Sequence, residues 1–147
     1  MKVMALDVGT KRIGVAVSDP SGTLARSLKV IQRHPEGPAS DIAEIARLVA
    51  DEGAQRIVVG LPMTLRGEIG PQAQFTLSFI DALRDALEIQ VETWDESYST
   101  VAAADALRSQ GLRGRRQKER IDATAAAVIL QGYLEAHPQS NATKVNG

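Results

Sequence analysis

Three acidic sites in this chain have positions suited to chemistry. Asp7 lies inside the apolar run Val3-Met4-Ala5-Leu6-Asp7-Val8 and shares a strand face with Val3 and Ala5. An ionised carboxylate there needs a cation or several donors to offset its desolvation. Asp95-Glu96 closes a second strand-like stretch, Ile89 to Trp94. Asp122 stands where positions 122, 125, 126, 129 and 133 fall on one helical stripe. Taken singly, each has an ordinary explanation: a turn cap, a solvated loop, a charge favoured at a helix N-terminus. Together they occupy a central strand, a neighbouring strand end and a close-packed helix start, which can converge on one side of a small sheet. The chain has no cysteine, so thiol catalysis, disulfides and thiolate zinc sites are excluded. Carboxylates from separate elements, without histidine or cysteine partners, suit Mg²⁺ or Mn²⁺. Such a cluster activates water and stabilises a leaving oxygen in phosphodiester hydrolysis.

A basic partner for that substrate is present. Residues 108 to 120 carry six positive charges against one negative, with two glycines, directly before Asp122. A basic loop beside an acidic cluster points to phosphate-backbone recognition, although a charge run is as often plain solvated surface. Lys11, Arg12, Arg113, Arg115, Arg116 and Lys118 are the expected nucleic-acid contacts. Gly60-Leu61-Pro62, Gly67 and Gly70 allow close backbone approach in a second loop.

The elements that must position these residues follow from periodicity. Lys2 to Val8 suits a central strand, Gly9-Thr10-Lys11-Arg12 a turn, and Ile13 to Ser18 a second strand. Asp19-Pro20-Ser21-Gly22 turns the chain into a third strand, Leu24 to Ile31, completing an antiparallel meander. Asp41 and Glu44 read as a capping pair for a helix that buries Ile42, Ile45, Ala46 and Val49 and stops at Gly53. Arg56 to Gly60 reads as a buried strand. Pro71 opens a helix with Phe75, Phe79, Ile80, Leu83 and Leu87 on one stripe, and Ile89 to Trp94 is a fifth strand. A helix from Ser99 or Thr100 to about Gln110 and a last helix from about Glu119 to Ala136 complete the order. Alternation of strand and helix after the meander predicts two parallel strands. The expected fold is α/β, a mixed five-stranded sheet flanked by helices, as one domain over 1–136. A polar tail, 137–147, is expected to be disordered.

At 147 residues and 44% hydrophobic, the chain fits one compact domain. Its formal charge of -1 and 3% aromatic content taken alone argue against a nucleic-acid coat or a base-stacking surface. The average conceals segregation, however. Residues 1–34 carry six basic and two acidic groups, residues 35–100 four and twelve, and residues 101–147 seven and four. A basic start and a basic loop therefore surround an acidic middle, which suits local binding at one site through backbone and shape. A carboxylate at position 7 interrupts any signal-peptide run, and no segment is long and apolar enough to span a bilayer. A soluble, cytoplasmic protein is expected.

The motifs jointly resemble one family. Leu6-Asp7-Val8-Gly9-Thr10-Lys11-Arg12-Ile13-Gly14-Val15-Ala16, Val59-Gly60-Leu61-Pro62 with Gly67 and Gly70-Pro71-Gln72-Ala73, Asp95-Glu96 with Ser99-Thr100, and Ile121-Asp122-Ala123 with Ala125-Ala126 and Ile129-Leu130 are similar to the YqgF family, also called RuvX. The resemblance covers residues 2 to about 135 and implies a ribonuclease H-like fold related to RuvC resolvases. It implies Asp7, Glu96 and Asp122 as the catalytic and metal-holding acids, and it is what selects Glu96 over Asp95. Ser97 stands where the family commonly has arginine, so Arg115 or Arg116 would supply that phosphate-facing cation. The implied activity is a divalent-metal endonuclease, foremost in 5′-end processing of the pre-16S ribosomal RNA. The alternative is a Holliday junction resolvase on branched DNA, which would act as a homodimer presenting two sites. A nucleic-acid-binding module without turnover is a further reading. So is an ATP-binding phosphotransferase, since Asp7-Val8-Gly9-Thr10 also resembles the first phosphate loop of the actin and sugar-kinase superfamily. That superfamily needs two lobes and an adenosine site, for which this chain is too short.

Overall fold

A computed structural model of the chain describes residues 1–34, 37–62, 66–96 and 124–138. Strands β1 (Val3–Val8), β2 (Arg12–Ser18) and β3 (Ala25–Gln32) form the expected meander. Strand β4 (Arg56–Leu61) lies parallel to β1 on its other side, and β5 (Gln90–Asp95) lies parallel to β4. The order across the sheet is β3-β2-β1-β4-β5. β1 is central, which is why its sequence is apolar on both faces.

Each face of the sheet meets its own helices. Met4, Leu6 and Val8 of β1, with Ile13, Ile57 and Val59, are buried against Ile42 and Ile45 of α1 (Pro38–Glu52) and Phe79, Ile80 and Leu83 of α2 (Pro71–Ala86). Each such side chain contributes about 1.5–3 kcal/mol on burial. The other face, with Val3, Ala5, Ala16 and Val58, meets Ala126, Ile129, Leu130 and Tyr133 of α3 (Thr124–Ala136). This second face is built from short side chains, so α3 sits close to the strands. At Gly60 a Cβ atom would fall 2.5 Å from Ile129 Cδ1, so any larger residue would push the Ile129 side chain out of its place against the strand.

Several expectations shift on inspection. Asp41 does not cap α1, whose N-cap is Gly37, four residues before the expected start of the capping pair. Its carboxylate is 0% exposed and accepts hydrogen bonds from Arg33 Nε at 3.0 Å and His34 N at 3.2 Å. A carboxylate one turn into a helix satisfies a capping pattern and a buried ion pair equally well in sequence, and here the tertiary partner wins. β3 and β5 each lie one residue later than expected, so Asp95 is the last residue of its strand. Phe75 shares the α2 stripe but remains 38% exposed. The expected helix over 99–110 and the start of the last helix lie outside the described residues, as do residues 139–147 of the expected tail. His137 stacks on Tyr133 with ring centroids 4.2 Å apart. Among the described residues, no helix is long and apolar enough to cross a membrane.

Candidate active site

The carboxyl ends of β1, β4 and β5 point the same way, because these strands are parallel. Asp7 is the next-to-last residue of β1, directly opposite Gly14 of β2. Glu96 follows the last residue of β5. Between them runs β4, where Gly60 again matters: the Cβ it lacks would lie 3.0 Å from Glu96 Oε1 and 3.1 Å from Glu96 Cγ. The bare backbone at position 60 therefore lets Glu96 lean across β4 toward Asp7.

The two carboxyl groups meet. Glu96 is hydrogen-bonded to the Asp7 side chain, and its carboxyl is pushed up to about 7. Burial is the largest cause, followed by the Asp7 charge, the hydrogen bond to Asp7, and the charge of Asp95. Two carboxyl groups in contact at a partly buried site form an oxygen-only donor set, and the raised Glu96 shows that its surroundings oppose the second charge. A hard divalent cation fits such a set, since it offsets that charge.

Around the same end of the sheet lie cations. The turn from β1 to β2 is closed by Gly9 N donating to Arg12 O at 2.8 Å, and Lys11 and Arg12 are exposed on it. β3 ends beside this turn, Arg12 pairing with Gln32. Arg33 then binds back: its Nη1 donates to Gly9 O at 2.9 Å and its backbone N to Lys11 O at 2.9 Å. Arg33 and His34 carried no sequence signal of their own. The one available hint was that an antiparallel meander brings the end of the third strand level with the start of the second.

Of the sequence-predicted residues, then, Asp7 and Glu96 come together, and Lys11 and Arg12 flank them on the neighbouring turn. Asp122, Arg113, Arg115, Arg116 and Lys118 lie outside the described residues, as does Ser97. Among the described residues no group of three metal-ligating side chains forms.

Comparison with known proteins places this arrangement in context. The family model RuvX, described as Holliday junction resolvase, matches residues 1–136. A Chloroflexus aggregans protein provisionally named a pre-16S rRNA nuclease is 50% identical over 134 residues, covering 91% of this chain and 93% of that protein. A Desulforamulus reducens protein of the same name is 41% identical over 136 residues, covering 92% and 98%. Among solved structures, Thermus thermophilus RuvC in complex with a Holliday junction substrate superposes with a TM-score of 0.59 at 18% identity, over 93% of this chain and 97% of that one. A fowlpox virus resolvase bound to Holliday junction DNA gives 0.56 at 11% identity, over 92% and 98%. These structural likenesses show a shared fold, the ribonuclease H-like architecture with its mixed five-stranded sheet.

Proposed function

Because this chain belongs to the RuvX family, we propose that it is a nuclease that hydrolyses phosphodiester bonds in 5′-end processing of the pre-16S ribosomal RNA. The observation that carries the reading is the hydrogen-bonded pair of Asp7 and Glu96 at the carboxyl end of the sheet. Asp122 completes the acidic set in this reading: it precedes α3 in the sequence, and the first turn of α3 lies beside Asp7, since a Cβ on Gly14 would be 3.6 Å from Ala126 Cβ and 3.7 Å from Asp7 Cβ. Mg²⁺ or Mn²⁺ is the cofactor that the oxygen-only donors suit, with Asp7, Glu96 and Asp122 to hold it. When bound, such an ion supplies charge stabilisation at the phosphoryl oxygens and an acidified water.

The remaining work falls to the chain itself. The β1 backbone fixes Asp7, and Gly60 leaves room for Glu96 to reach it. In this reading Lys11 and Arg12, with Arg113, Arg115, Arg116 and Lys118, bind the substrate backbone and position the scissile phosphate over the acids. We place the enzyme in the cytoplasm, where its ribosomal RNA substrate is made.

The description of the matching family supports a second reading, cleavage of branched DNA; in that reading a homodimer would present two sites. A cleavage panel decides between them: pre-16S RNA with its 5′ extension against a four-way DNA junction, each with Mg²⁺ and with Mn²⁺. The expected outcome is cleavage of the RNA, with Asp7→Asn reducing the rate by at least about a hundredfold, an amount typical of losing a group that acts in the transition state. Preferential junction cleavage would favour the resolvase. Full activity in Asp7→Asn, or no cleavage of either substrate, would overturn the acidic-centre reading.

A further inference from the structure

We propose that the cleft between the β1–β2 turn and the starts of α1 and α2 is a nucleotide subsite, holding a phosphate of the substrate strand at Lys11 and the adjoining base against Phe75. The inference rests on the nuclease reading for the identity of its ligand. The cleft has a volume of about 540 Å³, and Thr10, Lys11, Arg33, His34 and Phe75 are among its lining residues. That size lies within the usual span, roughly 300–1,000 Å³, of sites that enclose a small organic group.

Its position suits a strand that also crosses the acids. The cleft and the Asp7–Glu96 pair lie at one end of the sheet, since Arg12 pairs with Gln32 and Asp7 with Gly14. β3 is two strands from β1, about 10 Å at ordinary strand spacing. A single nucleic-acid strand can therefore pass from the carboxylates over the turn into the cleft.

The chemistry of the walls divides into two parts. Lys11 and Arg12 are exposed and carry no ion pair among the described residues, so their charge is available to a phosphate. The charge of Arg33 is already met by Asp41, and its guanidinium also holds the Gly9 carbonyl. What Arg33 does instead is fix the aromatic wall, its Cζ lying 5.4 Å from the Phe75 ring centre and 5.1 Å from that of Phe79. Phe79 is buried while Phe75 is 38% exposed. An exposed ring braced by a cation, next to an unpaired lysine, is the combination that binds a base and its phosphate without reading sequence.

RNA and DNA present the same phosphate-and-base chemistry, so the test carries both. The full chain, without divalent ions to prevent cleavage, is titrated by fluorescence anisotropy against labelled single strands of about twelve nucleotides, a length within the reach of one small domain. The strands are oligo-rA, oligo-dA and an abasic deoxyribose-phosphate strand. Lys11→Ala is expected to weaken binding to all three by about three- to tenfold and to lower the salt slope of log affinity by roughly one. Phe75→Leu is expected to weaken both base-bearing strands by about fivefold or more, to leave the abasic strand and the salt slope unchanged, and to be rescued by Phe75→Tyr. A preference for either base-bearing strand supports the subsite and identifies its source. Wild-type affinity in Lys11→Ala, equal losses on all strands in Phe75→Leu, or no binding by the wild-type chain would overturn it. Cleavage that ignores Phe75→Leu but is lost in Asp7→Asn overturns the subsite and leaves the nuclease reading standing. Cleft-dependent binding without cleavage of any substrate supports the subsite and overturns the nuclease reading.

Discussion

Glu96 is the residue whose chemistry its surroundings alter most plainly. Its carboxyl titrates near 7 in the fold against 4.5 in an open chain, chiefly through burial and then through Asp7. A raised acid stabilises the fold fully below the unfolded value and loses that contribution as pH climbs to the folded one. In the ion-free protein, stability should therefore fall between about pH 4.5 and pH 7. Glu96→Gln keeps the hydrogen bond without the charge, so at pH 8 it should be more stable than the wild type by about 1–2 kcal/mol after allowance for solvent screening. Denaturant unfolding at pH 8 and pH 4.5 measures the difference, which should vanish at the lower pH. Gly60→Ala tests the space beside it. A Cβ 2.5 Å from Ile129 Cδ1 and 3.0 Å from Glu96 Oε1 forces both side chains to move. The expected cost is about 1–3 kcal/mol in stability, with a larger proportional loss of cleavage because Glu96 is displaced from Asp7. The convergence of Asp7 and Glu96 was legible as three acids on suitable elements, but the choice of Glu96 was not legible from spacing. β5 ends one residue later than its apolar pattern suggests, and in a strand one residue reverses the face.

At the scale of elements, helix α3 shows what sequence pattern conveys and what it omits. Its alanines announced a close approach to the sheet, and Ala126 and Ala127 are indeed buried against it. The pattern did not announce Gln131, a buried polar residue that clips the helix to the start of β3. Its Oε1 accepts from Ala25 N at 3.0 Å and its Nε2 donates to Thr23 O at 3.2 Å. Gln131→Leu keeps the bulk but leaves a buried amide without its acceptor, so a loss of about 1–3 kcal/mol is expected in chemical unfolding. Asp41 teaches the same lesson from α1. A capping pattern describes only local spacing, whereas the ion pair with Arg33 forms across the gap between a strand end and a helix, which spacing cannot reveal.

Over the whole molecule, the antiparallel meander and the two further parallel strands were readable from strand-helix alternation, whereas the order across the sheet came only with the structure. The neutral average charge was the least informative number, because acids and cations gather at one end of the sheet and their sum conceals them. If a divalent ion binds there, it must displace the proton on Glu96. Mn²⁺ affinity by calorimetry should then fall below about pH 7, by up to about tenfold per unit, with proton release that depends on the buffer. The same ion should raise the melting temperature of the wild type more at pH 8 than at pH 6, and that of Asp7→Asn little at either. Arg33 has a further consequence, for how the molecule opens. Its hydrogen bonds to Gly9 O and Asp41 fasten the hairpin after the central strand to the first turn of α1. The two cannot fray separately, so the Gly9 and Arg33 amides should exchange with solvent in one shared event, as slowly as the helix lifts from the sheet.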